Sequence, residues 1–366
     1  MYLPMQDDLE IGHLSRVFDN KSECYKLFWM QAIVEQVVEG KVRLTFDDTI
    51  NRMVVHAWYM VTEFRLNLGP RDTLEVLVHL AKEVSGFPSN AKKMDVQRFM
   101  ERCQDKQVLS KKDTLTKNVP FRFQAPFLPN VKGAQWECGL WKLADRINGQ
   151  KHLIYYFREI NGRDSLIEVT PDWVEYISRN SEILFGWIEY NLICYLQRRN
   201  PNVPGISNKL SAPQERKMNQ IKKYWRAVIE CMPIRDIYSD CVIERQDISI
   251  DHFVPWSYVA HDEMWNLHPT TRSINSQKSN SLPDWNMYFQ KLCHNEYDSI
   301  KLMWEREGLK ELFEKCRREH VNSDDAWLTL YEHPESFDTF ANGLHDILLP
   351  VYQSAKNQGF PVWALR

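Results

Sequence analysis

The chain has 366 residues, of which 43% are hydrophobic and 26% charged. This length is enough for two or three domains, since domains commonly run to about 100–200 residues. The chain contains 46 Lys and Arg residues and 49 Asp and Glu residues, so its net charge is −3. This charge excludes a polycationic nucleic-acid coat protein. Any contact with nucleic acid must therefore be local.

The cysteines and the hydropathy pattern exclude further classes of protein. No two of the eight cysteines lie two or three residues apart, so the paired spacing of a zinc knuckle or a CxxC redox motif is missing. We therefore expect free structural thiols and no structural zinc. No uncharged apolar run reaches the ~18 residues of a membrane span, and we expect no secretory leader. These patterns predict a cytoplasmic protein without a membrane contact.

The first hundred residues predict a helical bundle. Apolar residues fill a broad face over 27–38 and stop before Gly40, a residue type that often ends helices. Residues 50–61 repeat this spacing, and 74–80 begin a third helix. Such a bundle serves either as scaffold or as a surface for a protein partner, and the sequence leaves both open. We place a helical N-terminal domain at residues 1–106.

A linker and a small β meander are predicted next. Lysines and three prolines within 107–132 indicate a linker or an irregular cover. Short strand-like runs follow at 141–147, 152–157 and 165–169. Asn-Gly dipeptides, which favour tight hairpin turns, separate these runs at 148–149 and 161–162. The pattern is typical of a small antiparallel sheet.

A long helix is predicted after the meander. Thr170 is a good capping residue and Pro171 suits the first helical position, so the helix should run to about Arg199. Two prolines and a glycine within 200–205 then turn the chain. Residues 107–205 thus form a second segment of linker, meander and helix.

The segment that carries the chemistry spans residues 247–280. Alternation of isoleucine with polar residues predicts a strand over 248–252 that delivers Asp251 and His252 to its end. Pro255 then stops the strand pairing. Asp251 and His252, two residue types suited to catalysis, are therefore expected side by side at the end of this strand.

A second strand and a helix are predicted downstream. The strand should begin near Asn266, and the helix should open at 272–273. Asn275 and Lys278 would then lie about one turn apart on the same helix face.

The spacing of these residues is specific. The fixed positions are Asp251, His252, Pro255, Asn266, Asn275 and Lys278. This pattern resembles the ββα-metal (His-Me) finger of HNH endonucleases and is similar to the HNH domain of CRISPR effector nucleases, over about residues 235–285. Many HNH domains bind a structural zinc through cysteine pairs, whereas only Cys231 and Cys241 lie near this segment. The finger would therefore be held by packing.

The residue types also fit phosphodiester hydrolysis without reference to a family. That reaction needs an activated water, and neutral imidazole is the side chain best suited to take a proton near pH 7, so His252 is the expected general base. It also needs a cation, and the oxygens of Asp251 and Asn275 suit Mg²⁺, with Mn²⁺ as an alternative.

The resemblance implies roles for neighbouring residues. Asn266 would complete the catalytic set by bonding to the loop beside His252, and Lys278 would support the site or meet phosphate. His268 follows Asn266 on the same strand face, where it either reaches substrate or packs as a half-buried histidine.

A basic segment precedes the finger. Residues 209–226 contain six basic residues and one acidic residue, with Tyr224 and Trp225 interleaved. This composition predicts a helix that follows phosphates, and a solvated helix face is the alternative. The candidate contacts to nucleic acid within it are Lys222, Lys223 and Arg226.

The expected fold class is mainly α (α+β), with a helical N-terminal bundle, a small antiparallel meander and a ββα-metal HNH finger embedded in C-terminal helices. Three further amphipathic helices are predicted at 285–292, 309–316 and 337–351. We place the HNH nuclease domain at 206–300 and a C-terminal helical segment at 301–366.

The predicted function is a metal-dependent HNH endonuclease that acts on DNA. The settings in which HNH proteins often occur imply prokaryotic restriction or phage defence. The alternative is a non-catalytic helical protein that binds nucleic acid or assembles a complex, with a finger that does not cut. His252 argues against this alternative, because a finger that only binds has no need of a base.

Overall fold

The structure is a computed structural model and describes residues 3–19, 23–70, 72–211 and 218–365. The chain divides into an N-terminal unit, Met1–Pro201 with Lys209–Ala212, and a C-terminal unit, Asn202–Asn208 with Pro213–Arg366. The chain is 61% helical and carries small antiparallel sheets, so the predicted mainly α (α+β) class is confirmed. The four segments drawn from the sequence stay a prediction.

The N-terminal unit is built mostly from helices. These are α1 (Ile11–Ser15), α2 (Tyr25–Val38), α3 (Phe46–Thr62), α4 (Thr73–Ser85), α5 (Lys93–Arg102), α6 (Lys106–Leu115), α7 (Val119–Arg122), α8 (Leu140–Asn148), α9 (Pro171–Arg179) and α10 (Ser181–Arg199). Capping explains two of the starts, because the Thr45 hydroxyl accepts from the Asp48 amide at 3.1 Å and the Asp72 carboxylate accepts from the Glu75 amide at 2.9 Å. The helices predicted from 27, 50 and 74 are confirmed as α2, α3 and α4.

A three-stranded antiparallel sheet packs among these helices. Its strands are β1 (Arg43–Thr45), β2 (Tyr155–Glu159) and β3 (Leu166–Val169), in the order β1-β3-β2. The predicted turn at Asn161-Gly162 joins β2 to β3, so that hairpin is confirmed. The third strand is β1, which the sequence did not indicate.

The predicted first strand of the meander is wrong, and part of the segment predicted as a linker or irregular cover is helical. Residues 107–115 belong to α6, whose Lys112 is buried and pairs with Asp47 at 2.6 Å, so this lysine serves packing. Residues 141–147 belong to α8, because their buried apolar residues recur three or four positions apart. The adjacent Asn148-Gly149 pair therefore ends a helix.

The predicted single helix from Pro171 to Arg199 is also wrong. It breaks into α9 and α10 at Asn180, whose φ of −115° and ψ of 19° are not helical. The Asn180 side-chain amide donates to the Tyr176 carbonyl at 2.9 Å and so competes with the helical hydrogen bonds.

The C-terminal unit surrounds one large apolar core. Its helices are α11 (Asn219–Cys231), α12 (Trp256–Val259), α13 (Arg272–Lys278), α14 (Trp285–Glu305), α15 (Glu307–His320), α16 (Asp324–Ala326) and α17 (Phe337–Asn357). Its strands are β4 (Ile248–His252), β5 (Leu267–Thr271), β6 (Leu282–Pro283) and β7 (Val362–Trp363). The predicted helices α14, α15 and α17 are confirmed, and all three contribute buried residues to the core.

The ββα order of the finger is confirmed. Strands β4 and β5 form an antiparallel pair in which Asp251 faces His268 and His252 faces Leu267, and α13 follows directly. Helix α13 starts where the Thr271 hydroxyl accepts from the Ile274 amide at 3.4 Å. Strand β6 then pairs in parallel with β7, which ties the end of the finger to the end of the chain.

No described helix has the length and apolar character that crossing a membrane requires.

Candidate active site

The register of the finger brings Asp251 to the centre of a buried polar cluster. Its Oδ2 accepts a hydrogen bond from the Tyr238 hydroxyl at 2.7 Å, and its Oδ1 accepts from Nζ of Lys278 at 3.2 Å. Burial opposes ionisation of this carboxyl, but the positive charge of Lys278 and the two hydrogen bonds outweigh it and lower the pKa of Asp251. Asp251 is therefore a carboxylate at neutral pH.

Lys278 and His268 lie inside the protein, which favours the supporting role for Lys278 and the packing role for His268 among the alternatives that the sequence left open. Lys278 is fully buried, and its Nζ also donates to the His252 carbonyl at 2.7 Å, so its amine is turned away from the surface. His268 is fully buried as well, 5.5 Å from the Tyr238 ring between ring centroids. Burial lowers the pKa of His268 to about 4, so the ring is neutral at pH 7 and has no direct route to substrate.

His252 ends β4 beside a carboxylate that the sequence did not single out. Its Nε2 lies 2.8 Å from Oδ1 of Asp262, in the loop after α12. The Asp262 carbonyl is in turn bonded to Nδ1 of His320 at 2.7 Å.

Asn266 fastens the loop that follows His252. Its Oδ1 accepts from the Val254 amide at 2.7 Å and its Nδ2 donates to the Val254 carbonyl at 2.9 Å. The Asn266 carbonyl accepts from the Phe253 amide at 2.9 Å. These bonds fix the backbone next to His252, and Asn266 itself is fully buried.

Asn275 projects from α13 towards β4. Its Nδ2 donates to the Ser249 hydroxyl at 2.9 Å and to the Ile250 carbonyl at 3.0 Å. These bonds set the orientation of the side-chain amide, and its oxygen takes no part in them.

One open cleft contains the principal candidates. It has a volume of about 360 Å³, and its lining includes Asp251, His252, Asn275 and Lys222. The structure thus brings together the base candidate and both metal-ligand candidates, whereas Asn266, His268 and Lys278 lie behind the lining.

The donors in this cleft fit a hard divalent ion. Asp251 and Asn275 offer a carboxylate oxygen and an amide oxygen, and Mg²⁺ typically takes one or two such protein ligands with water and phosphate oxygens as the rest. Within the described part of the chain, no group of three His, Cys, Asp or Glu side chains is placed to hold a metal. The donor set therefore fits a divalent ion that is held by few protein ligands.

Helix α11 borders the cleft with positive charge. Burial and the nearby positive charges of Arg226 and Arg272 lower the pKa of Lys222. Lys223 lies on the exposed side of the same helix. Arg272 was not anticipated, because it forms part of this group only through the packing of α13 near α11.

Other residues of the predicted basic segment, 209–226, are buried or lie outside the described residues. Lys209 is buried in the N-terminal unit, 5.6 Å from the centroid of the Phe64 ring, and burial lowers its pKa to about 7. Tyr224 and Trp225 are fully buried in the core, so they do not stack on bases. Arg216 and Lys217 lie outside the described residues.

The buried side chain of Asp236 holds the start of the finger in place through hydrogen bonds. Oδ1 of Asp236 accepts from the Tyr238 amide at 2.8 Å and the Ser239 amide at 3.0 Å. Its Oδ2 accepts from the Thr270 hydroxyl and from the Thr271 amide. This side chain joins the turn that carries Tyr238 to the end of β5. Lone acidic residues in loops carry no sequence signal of such bonds, so residue spacing does not indicate this role of Asp236.

Comparison with known families agrees with this geometry. A family model described as HNH endonuclease matches residues 236–284, which begin at Asp236 and end after β6. No curated protein and no solved structure matches the chain. Nucleases of the HNH type generally use a divalent metal ion. The match, together with the ββα order, identifies residues 236–284 as an HNH endonuclease domain within a longer, mainly helical chain.

Proposed function

We propose that this chain is a metal-dependent endonuclease that hydrolyses phosphodiester bonds of DNA. The proposal rests on one observation: His252, Asp251 and Asn275 line a single cleft in the segment that matches the HNH endonuclease family. His252 is the general base, and Asp251 and Asn275 hold one divalent ion, Mg²⁺ or alternatively Mn²⁺.

In this proposal His252 makes the nucleophile. Its neutral imidazole takes a proton from a water molecule, whose oxygen then attacks the phosphorus of the scissile phosphate. The bond from phosphorus to the leaving oxygen breaks, and that oxygen takes a proton from solvent. When bound, the divalent ion offsets negative charge on the phosphate.

The residues behind the cleft keep this arrangement in place. Asn266 holds the backbone after His252, and Lys278 joins the His252 carbonyl to Asp251. Both therefore act by positioning, without touching substrate.

Helix α11 supplies the contacts to DNA in this proposal. Lys222 lines the cleft, and Arg226 lies one turn further along the same helix face. Lys223 meets the backbone from the exposed side. Local attraction of this kind is needed because the net charge of the chain is −3.

A nuclease assay tests the proposal. Wild-type protein, His252→Ala and a control, His294→Ala, are incubated with supercoiled plasmid, linear duplex, single-stranded DNA and RNA, with and without Mg²⁺. We expect cleavage of DNA that needs the metal, disappears in His252→Ala and persists in His294→Ala, since His294 is an exposed residue of α14. Binding of DNA without cleavage under every condition would favour the non-catalytic alternative.

Three further parts of the proposal rest on resemblance and composition. They are a role in prokaryotic restriction or phage defence, a protein partner for the helical N-terminal unit, and a cytoplasmic location. Phage challenge of cells that express wild-type protein or His252→Ala tests the first, and a wild-type protein that gives no protection would contradict it.

A further inference from the structure

The loop after α12 places a carboxylate beside the proposed base. Oδ1 of Asp262 lies 2.8 Å from Nε2 of His252, and the two side chains are only 18% and 7% exposed. We propose that Asp262 is a positioning residue, which holds the imidazole of His252 in the orientation and tautomer that proton transfer requires. This inference rests on the function proposed above, in which His252 is the base.

The chemistry of the two groups assigns the tautomer. A carboxylate only accepts hydrogen bonds, so Nε2 of His252 carries the hydrogen that it donates to Asp262. The basic lone pair of the neutral ring then belongs to Nδ1, which takes the proton from water. The negative charge of Asp262 also stabilises the imidazolium that forms, as a carboxylate does beside other histidine bases.

Residues outside the family match hold Asp262 in place. The Asp262 carbonyl can only accept, so Nδ1 of the buried His320 donates to it at 2.7 Å. The carboxylate of the next residue, Glu263, accepts from Nδ2 of Asn322 at 2.5 Å and from the Asn322 amide at 3.3 Å.

Two consecutive loop residues are thus anchored to the end of α15 and the segment after it. Such anchoring distinguishes Asp262 from a mobile acidic side chain that meets a histidine by chance. It also gives a helix beyond residue 284 a part in the active site.

Steady-state kinetics of DNA cleavage test the role of the carboxylate. Asp262→Asn keeps the size of the side chain but removes its charge, and we expect kcat to lose part of the roughly 100 to 10,000-fold that a general base contributes, while KM stays unchanged. Asp262→Glu should regain part of that loss. The control Glu244→Gln removes an exposed carboxylate that precedes β4 and should leave kcat unchanged. A wild-type kcat in Asp262→Asn would overturn the inference.

Nitrogen-15 NMR of the histidine rings tests the tautomer in metal-free protein, without any cleavage assay. The His252 signals, assigned by their loss in His252→Ala, should show hydrogen on Nε2 in wild-type protein and a mixture of tautomers in Asp262→Ala. Hydrogen on Nδ1 in the wild type would overturn the inference, even where the Asp262 variants do not fold.

The two proposals fail in different ways. An inactive His252→Ala beside a fully active Asp262→Asn removes only the positioning role of Asp262. A His252→Ala variant that cuts at the wild-type rate removes the proposed function and this inference with it.

Discussion

The side chain of Asp251 is an ionised carboxylate at neutral pH although it is almost completely buried. The Lys278 ammonium and the Tyr238 hydroxyl both contact it, and these contacts outweigh the cost of burial. A cation that enters the cleft therefore meets a charged ligand and does not have to displace a proton. The buried lysine and tyrosine thus prepare the ligand in advance.

Substitution of the three cleft residues should separate their roles. His252→Ala should keep its affinity for metal and DNA but lose about 100 to 10,000-fold in cleavage rate, the usual contribution of a general base. Asp251→Asn, which keeps the bulk beside Lys278, should weaken metal binding. Asn275→Ala removes a neutral ligand, so excess metal or Mn²⁺ should restore part of its activity. Metal titration calorimetry and single-turnover cleavage distinguish these results, and a His252→Ala variant with weakened metal binding would contradict the division of roles.

Asp236 should carry much of the stability of the finger. Asp236→Ala leaves three backbone amides, those of Tyr238, Ser239 and Thr271, and the Thr270 hydroxyl without their acceptor, so we expect a loss of about 3 kcal/mol in the free energy of unfolding. The control Asp240→Asn alters an exposed carboxylate whose partner is Lys291, and should cost less than about 1 kcal/mol. Urea unfolding measures both. Equal losses in the two variants would show that the buried bonds of Asp236 contribute little.

At the scale of elements, α11 has two faces with different functions. One face places Tyr224 and Trp225 in the core, and the other presents Lys222 and Arg226 beside the cleft. The two aromatic residues of the predicted basic segment therefore anchor the helix that carries the cations.

The salt dependence of DNA binding should report on this basic face. Replacing both Lys222 and Arg226 with Ala should flatten the slope of log affinity against log salt by about 0.9 for each lost phosphate contact. The control pair, Lys315→Ala with Arg318→Ala, removes two exposed charges of α15 outside the cleft lining and should change the slope less. An identical slope in wild-type protein and the Lys222/Arg226 variant would assign this face to solvent.

Much of the helical fold was predictable because the apolar residues that recur at helical spacing in the sequence are the ones buried in the structure. Helices α2 and α3 were predicted from that spacing, and the finger from the close sequence positions of its residues. Residues 141–147 were misassigned because a short apolar run fits a strand or a helix, and a neighbouring Asn-Gly pair favoured the strand. Strand β1 has three residues, too few to show a period.

The partners of the site residues were less predictable. The Asp262–His252 and Tyr238–Asp251 pairs join positions ten and thirteen residues apart through loops. Loop residues have no periodicity, so their contacts arise from packing that spacing does not report.

At the scale of the whole molecule, the active site draws on elements beyond the family match. Helix α11 lies before residue 236 and α15 after residue 284, yet both contact the finger. In the proposed function, these two helices therefore contribute to the active site as well as to the core of the C-terminal unit.

Removal of metal should separate activity from folding. We expect a chelator to abolish DNA cleavage but to shift the melting temperature only slightly, because hydrogen bonds and packing hold the finger. Added Mg²⁺ should restore cleavage. Circular dichroism with elemental analysis measures the outcome, and one tightly held zinc whose loss unfolds the protein would contradict the expectation.

Because Lys278 is buried, the rate at which its amine reacts can report on local opening of the finger. Its amine lies against Asp251 and the His252 carbonyl, out of contact with solvent. An acylating reagent can therefore modify it only during moments when α13 separates from β4, whereas exposed lysines such as Lys223 react at once. The labelling rate of Lys278, followed by peptide mass spectrometry, would measure how often that separation occurs. In the proposed function Asp251 and Asn275 would hold the divalent ion, which would join the same two elements, so its presence should slow the labelling in proportion to its occupancy.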